Sequence, residues 1–181
     1  MVFRLVTHVF SNLRKHSLRL AEKYRHKYLF QKFGHYLTDP AIWSFRTKEA
    51  SRGVATGVLL AMTPLMGGQM FIAAFLAVIL RVNLPLAMLT TWISNPITFP
   101  PMVYFQYYLG CSILKISPEH VRSAPTDLLL VMRTMFRPYF LGMIVSAVFA
   151  SGISFFLSVI FFDIERKIRL KAHRFRRKIQ L

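Results

Sequence analysis

Charged residues divide this chain into charged ends and three long uncharged blocks. The blocks cover residues 53–80, 82–114 and 138–162, and only Arg81 separates the first two. Each block is longer than the roughly 20 residues that an α-helix needs to cross about 30 Å of hydrocarbon. Blocks of this length predict an all-α, helical membrane protein whose membrane domain covers residues 40–162.

The first block is interrupted from Thr63 to Gln69, a segment that we call the first break. This segment contains one proline and two glycines. Because proline removes a backbone donor and glycine favours turns, two half-helices that meet at a bend fit this block better than one straight helix. The halves, residues 54–62 and 70–80, are each too short to span a bilayer. The block is therefore either a kinked span or a re-entrant hairpin.

The second block is interrupted from Thr91 to Thr98, the second break. A proline in each break follows a polar residue, Thr63 or Asn95, that is predicted to cap a half-helix, and these two prolines lie about 32 residues apart. Paired interrupted segments are typical of repeat proteins with a binding site between the two halves. Between the breaks, Asn83 is predicted to cap the next helix.

The neutral polar groups of the two breaks form the candidate site. Together with carbonyls freed by proline and the N-termini of half-helices, they would hold a cation or an anionic group, which favours transport or lipid handling. The alternative is that the breaks are structural kinks in a non-catalytic membrane scaffold or assembly factor. The candidate substrate-binding residues are Thr63, Pro64, Gly68, Gln69, Thr91, Trp92, Ser94, Asn95, Pro96 and Thr98.

Catalytic groups lie outside the uncharged blocks. None of the seven acidic residues and none of the six histidines falls within a block, so general acid-base catalysis in the membrane would lack its usual side chains. The single cysteine, Cys111, excludes an intramolecular disulfide and a cysteine-based zinc site. We therefore predict no enzyme activity, no metal site and no cofactor.

Composition and charge add a membrane surface to this picture. Hydrophobic residues make up 54% of the chain, and the mean hydropathy is +0.42. The formal net charge is +17, and of the 24 basic residues eleven lie in residues 1–52 and eight in residues 163–181. Basic segments beside apolar spans contact anionic lipid head groups, and no aromatic-basic recognition module accompanies them. Lipid is therefore favoured over nucleic acid as a partner.

The same charges predict the topology. Lys and Arg mark the cytoplasmic side of a membrane protein, so both termini of this multi-pass chain are expected in the cytoplasm. Three full spans would place the termini on opposite sides. One of the two interrupted blocks should therefore be re-entrant, and the sequence leaves open which one.

The two ends of the chain carry their own signals. Residues 1–39 are predicted to form a basic amphipathic region, with a helix over residues 1–33 that lies in the membrane interface. A mitochondrial presequence is the alternative interpretation of this region. A further helix is predicted to begin at Asp39-Pro40 and to run towards Arg52. Residues 163–181 are predicted to form a basic cytoplasmic tail that rests on anionic lipid.

The third block carries a small residue at every fourth position from Gly142 to Ser154. This spacing forms a smooth helix face that permits close packing, either within the chain or against a second copy. Because a bundle with two full spans hardly encloses a pathway, we expect a homodimer through this face.

Several short motifs lie between residues 40 and 114. They are Arg52-Gly53-Val54-Ala55-Thr56-Gly57, Thr63-Pro64 with Gly68-Gln69-Met70, Arg81-Val82-Asn83-Leu84-Pro85, Thr91-Trp92-Ile93-Ser94-Asn95-Pro96-Ile97-Thr98 and Tyr108-Leu109-Gly110. Together they resemble the bacterial membrane family called domain of unknown function 2062, although Leu59 stands where that family commonly has an aromatic residue. The resemblance implies a bacterial inner-membrane protein. It implies no established activity and no catalytic residue.

Overall fold

The structure, a computed structural model, describes residues 39–65, 67–117 and 128–179. All regular secondary structure in these residues is helical, which confirms the all-α prediction. The predicted amphipathic helix over residues 1–33 lies outside the described residues. The elements are α1 (Thr47–Ala61), α2 (Gln69–Leu80), α3 (Leu84–Thr90), α4 (Phe99–Leu114) and α5 (Leu128–Ile179), with 3-10 helices at Pro40–Trp43 and Thr91–Ile93.

Two of the predicted helix caps are present. Asp39 Oδ1 accepts a hydrogen bond of 2.9 Å from the Ala41 amide at the start of the first 3-10 helix. Asn83 Oδ1 accepts one of 2.8 Å from the Leu86 amide at the start of α3. The helix that begins at Pro40 is shorter than predicted, since it ends at Trp43 and α1 begins separately.

The predicted helix starts within the two breaks are wrong. Neither Thr63 nor Asn95 is an N-cap, because α2 begins at Gln69 and α4 begins at Phe99. Thr63 Oγ1 instead donates to the Leu60 carbonyl at 2.6 Å and closes the last turn of α1. The chain must complete each bend before a new helix can start, so each helix begins several residues after its proline.

The first block doubles back on itself. The Asn83 amide donates to the Glu49 carbonyl at 3.0 Å, and Asn83 Nδ2 donates to the Ser44 carbonyl at 2.9 Å. An ion pair of 3.3 Å joins Arg81 to Asp39. The beginning of α1 and the end of α2 therefore lie at the same end of the bundle, which we call the charged end.

The α3 helix then runs beside α1 in the same direction. A Cβ atom added to Gly53 would overlap the backbone of Asn83, and one added to Gly57 would overlap Ala87 and Thr90. Glycine is required at both positions because the two helix backbones approach so closely. The second block thus starts at the charged end and leads away from it.

The α4 and α5 helices complete the bundle and run antiparallel to each other. Gly110 lies against the backbone of Pro138, and Gly142 lies against the backbone of Gln106. Further along α5, Ser151 Oγ donates to the Ala55 carbonyl at 3.0 Å. The α5 helix begins beside the last turns of α4 and runs back beside α1 to the charged end. The second block therefore starts at the charged end and finishes at the opposite end of the bundle.

The charged end is also where α5 meets the start of α1. Thr47 Oγ1 donates to Asp163 Oδ1 at 2.9 Å. The α5 helix continues from Leu128 through Pro138 as one helix of 52 residues. Pro138 therefore does not start a new helix, and the described part of the predicted tail extends α5. Gly142 and Ser146 are buried within the chain, so they are not free to contact a second copy.

Side-chain size is inverted between the interior and the outer surface. Ala50, Ala61, Ala73, Ala77 and Ala87 are completely buried, whereas many large apolar side chains face outward, among them Phe71 at 78% and Phe149 at 68% exposure. Within the described residues, one helical segment, Met135–Ile168, is long and apolar enough to cross a membrane, and only 11% of its most apolar window is buried. A long, apolar and mostly exposed helix of this kind is consistent with a helical membrane protein.

Candidate functional site

Gln69 joins the first break to the second. Its side chain is buried in the first turn of α2, and its Nε2 atom donates to the carbonyls of Thr91 and Ser94, each at 3.3 Å. The short 3-10 helix after α3 ends here, and no continuing helix uses the Ser94 carbonyl, whereas the Thr91 carbonyl also accepts from the Ser94 amide at 3.2 Å. The two breaks therefore meet at this amide.

Gln106 forms a second link in the opposite direction. It is completely buried in α4, and its Nε2 atom donates to the Met62 carbonyl at 2.9 Å, where α1 ends. Each break thus has an open carbonyl that is satisfied by a glutamine from the other block. Sequence reasoning missed Gln106, although a single amide within an otherwise apolar stretch of helix was a signal that could have found it.

Three buried polar atoms at these links have no hydrogen-bond partner among the described residues. They are Gln69 Oε1, Gln106 Oε1 and Ser94 Oγ. Leaving such a group unsatisfied costs roughly 1–3 kcal/mol. Because two of the three atoms only accept hydrogen bonds, the site favours a partner that donates them, such as water, a hydroxyl or an ammonium group.

Thr91 lies next to this cluster but uses its own side chain locally. Its Oγ1 atom donates to the Met88 carbonyl at 2.7 Å, so only its backbone carbonyl takes part in the link to Gln69. Of the ten candidate residues, the structure therefore brings Gln69, Thr91 and Ser94 together.

Asn95 and Thr98 form a separate local turn that starts α4. Asn95 Oδ1 accepts hydrogen bonds from the amides of Ile97 and Thr98, at 2.9 and 3.0 Å, and Thr98 Oγ1 donates to the Ile93 carbonyl at 2.6 Å. Side chains of this type commonly bond to nearby backbone in turns. Both residues serve the local backbone and do not contribute side chains to the link at Gln69.

The remaining candidates lie outside the cluster. Pro64, Gly68 and Pro96 are exposed, and Trp92 is 68% exposed on the outer surface. The Thr63 hydroxyl donates to the Leu60 carbonyl in the last turn of α1. The candidate helix N-termini at the two prolines do not exist, since α2 and α4 begin later.

The cluster is neutral and contains no ionisable side chain. Within residues 39–65, 67–117 and 128–179, no group of three or more His, Cys, Asp or Glu residues is placed to hold a metal ion. Hydrogen bonding in a low-dielectric interior is therefore the chemistry that this site offers.

These features define an all-α protein with one long apolar helix, consistent with a helical membrane protein, and with two broken segments that are linked by buried amides. The chain belongs to the bacterial family described as "Uncharacterized protein conserved in bacteria (DUF2062)", which matches residues 30–171. The family indicated by the sequence motifs is thereby confirmed, and the match extends beyond residues 40–114. No curated protein and no solved structure matches this chain.

Proposed function

We propose that this chain is a multi-pass protein of the bacterial inner membrane that handles lipid. The observation that supports membrane embedding is the inverted side-chain size, with alanines inside and phenylalanines such as Phe71 and Phe149 outside. A water-soluble bundle buries its large apolar residues. In lipid, helices instead associate through small residues that allow close approach.

In the proposed topology the first block is the re-entrant one. Its α1 helix has 15 residues, or about 22 Å, which is less than the roughly 30 Å of a bilayer core. Both ends of this block lie at the charged end, as the bond from Asn83 to Glu49 indicates. The second block and α5 would each cross once, because about 38 Å of α5 separates Pro138 beside Gly110 from Asp163 at the charged end.

Two crossings and one re-entrant hairpin return the chain to the side from which it started. The charged end then faces the cytoplasm, since basic residues such as Arg46, Lys48, Arg52 and Lys167 are exposed at or near it. This arrangement agrees with cytoplasmic termini. It does not need a third span.

Lipid handling is supported by a groove between α1, α2 and α5. The groove has a volume of about 370 Å³, and its only charged residue is Arg52. The hydroxyls of Thr56 and Ser151 in its wall already donate to backbone carbonyls, at 2.8 and 3.0 Å, so the wall behaves as apolar. An acyl chain fits such a groove. The buried acceptors at Gln69 and Gln106 do not line the groove, and they suit the donor groups of water or of a lipid head group.

A second candidate function is a non-catalytic scaffold or assembly factor. The observation that favours this function is that Gln69 and Gln106 donate through Nε2 to backbone carbonyls at the breaks, which stabilises the fold without a ligand. A purely structural role for the breaks would need no more than this. In either case we propose that the protein is not an enzyme.

Ser94 separates the two candidates. Its buried hydroxyl has no partner within the described residues, so a Ser94→Ala variant removes a polar group without breaking a bond in the chain. We expect unchanged or higher thermal stability and about fivefold slower lipid movement, the factor that corresponds to one lost hydrogen bond of about 1 kcal/mol. The matched control is Ser112→Ala, an exposed hydroxyl in α4.

The measurement uses the purified full chain in liposomes that contain a trace of fluorescent phospholipid. A dithionite quencher added outside reports the rate at which labelled lipid reaches the outer leaflet. A wild-type rate equal to that of protein-free liposomes would disprove lipid movement. Wild-type movement that Ser94→Ala leaves unchanged would remove the second break from the mechanism.

A further inference from the structure

A large cavity opens at the charged end, away from the two breaks. It has a volume of about 870 Å³ and lies between residues 44–49 and the 162–170 segment of α5. Its size falls within the range of pockets that hold small ligands, roughly 300–1,000 Å³. The proposed lipid groove does not share a lining residue with it.

The lining combines positive charge with an apolar wall. Arg46, Lys48 and Arg166 supply three exposed cations, Leu170 supplies exposed apolar surface, and Phe162 is largely buried in the wall. Two carboxylates, those of Glu49 and Glu165, also line the cavity, and Glu49 Oε2 is buried rather than open to solvent. The formal charge of the lining is therefore positive by one, which favours an anionic ligand.

The cavity also lies where the apolar surface of α5 gives way to charge. Phe161 and Ile164 are exposed and apolar, and the exposed cations Arg166 and Lys167 follow them, interleaved with the exposed apolar residues Ile168 and Leu170. In a membrane this change marks the boundary at which phospholipid phosphates lie. This step rests on the membrane embedding proposed above.

The start of α1 adds to the positive potential. Arg46 occupies the N-cap position without a side-chain capping bond, and the first turn of α1 lines the cavity. A helix N-terminus carries a partial positive charge and unpaired amide groups. It reinforces the basic side chains beside it.

From the volume of the cavity, the charge of its lining and its position beside the charged end of α5, we infer a binding site for the phosphate head group of an anionic phospholipid. Arg46, Lys48 and Arg166 would contact the phosphate, and Leu170 would contact the apolar part of the same lipid. A lipid held here would be a resident ligand at the membrane surface. It is distinct from a lipid that moves along the groove between α1, α2 and α5.

The test uses the purified full chain in detergent and a short-chain phosphatidylglycerol, whose binding is measured by native mass spectrometry. The variant combines Arg46→Gln, Lys48→Gln and Arg166→Gln. The matched control combines Lys115→Gln, Arg137→Gln and Lys167→Gln, which remove the same charge from exposed positions that do not line the cavity. Inorganic phosphate is the second probe.

We expect the cavity variant to bind the lipid about 100-fold more weakly and the control variant to bind it nearly as the wild type does. Equal losses in both variants, or no loss in either, would overturn the site. Binding of inorganic phosphate as tight as that of the lipid would also overturn it, since the site would then recognise free phosphate. Thermal unfolding of each variant confirms that it is folded.

Failed lipid movement in liposomes would leave this binding result unaffected, so the two proposals fail separately.

Discussion

The two breaks share a sequence pattern, yet the chain takes different directions after them. Beyond the first break, α2 returns to the charged end, where Asn83 bonds to Glu49. Beyond the second break, α4 leads away to the crossing of Gly110 with Pro138. A polar residue followed by proline therefore interrupts a helix without determining where the next helix goes.

Local backbone bonds account for part of this difference. In the first break Gly67 has a φ of +85°, and the amides of Gly68 and Gln69 both donate to the Leu65 carbonyl, at 3.1 and 3.0 Å. In the second break Asn95 and Thr98 close a short turn, and no residue has a positive φ. The first break is thus a reversal built on glycine, and the second is a bend that restarts a helix.

The comparison also shows that the breaks depend on each other. Gln69 is the last residue of the first break and donates to carbonyls at the second, whereas Gln106 follows the second break and donates to the carbonyl that precedes the first. In the membrane embedding that we propose, a carbonyl left open in hydrocarbon would cost several kcal/mol. Each bend is therefore tolerated because the other block supplies its donor.

The largest expected effect concerns the direction of the chain in the membrane. In a Cys111→Ser background, the single substitutions Lys48→Cys, Arg81→Cys and Ile116→Cys place thiols at exposed positions. We expect an impermeant maleimide to label the thiols at positions 48 and 81 only from the cytoplasmic side, and the thiol at position 116 only from the other side. Position 48 precedes both breaks in the sequence and position 116 follows both. Their opposite labelling is therefore the internal control for the sidedness of the reagent.

Labelling of positions 48 and 81 from opposite sides would mean that the first block spans the membrane. The two breaks would then be equivalent bends, and the contrast between reversal and continuation would be lost. Labelling of all three positions from one side would instead remove the proposed crossing of the second block.

A smaller effect is expected when the glutamine links are removed. Gln106→Leu leaves the Met62 carbonyl without its donor, and Gln69→Leu does the same for the Ser94 carbonyl. Each substitution should lower the free energy of unfolding by roughly 1–3 kcal/mol. Thermal unfolding in detergent measures this loss, and the exposed Ser112→Ala variant should change stability by less than about 0.5 kcal/mol.

Hydrogen exchange shows where each glutamine acts. Gln106→Leu should speed amide exchange in the first break, and Gln69→Leu should speed it in the second, because each side chain reaches across to the other block. If each variant affected only its own helix, the breaks would be independent of each other.

Much of this architecture could be predicted from the sequence. Uncharged block lengths indicate the long helices, proline and glycine locate both breaks, and Asp39 and Asn83 cap helices as their side chains predict. These features depend on local backbone chemistry, which is encoded within a few residues. The half-helix predicted over residues 70–80 is α2, which begins one residue earlier at Gln69. The start of α4 at Phe99 was not predicted, because the bend has to be complete before the helix resumes.

The links within the candidate site depend on tertiary contacts, so the sequence predicted them only in part. Gln69 and Ser94 were candidates because they are polar residues within breaks. Gln106 lies in the middle of α4, and its importance depends on the Met62 carbonyl, which is 44 residues away in the chain. Conversely, Trp92 and Pro96 belong to the right segment but face outward.

The smallest expected effect tests the left-handed backbone conformation of Gly67, which occurs in the first break and not in the second. Gly67 has open space around it, so Gly67→Ala meets no steric obstacle but forces a side chain onto a positive φ, at a cost of about 1 kcal/mol. The neighbouring Gly68→Ala is the matched control, since its φ of −93° suits any residue and an added Cβ atom has room. The two unfolding midpoints should therefore differ, with Gly67→Ala lower. Equal midpoints would mean that the reversal needs no left-handed residue. The different paths of the two blocks would then have to come from the contacts of Gln69 and Gln106 and from the close packing of α1 on α3.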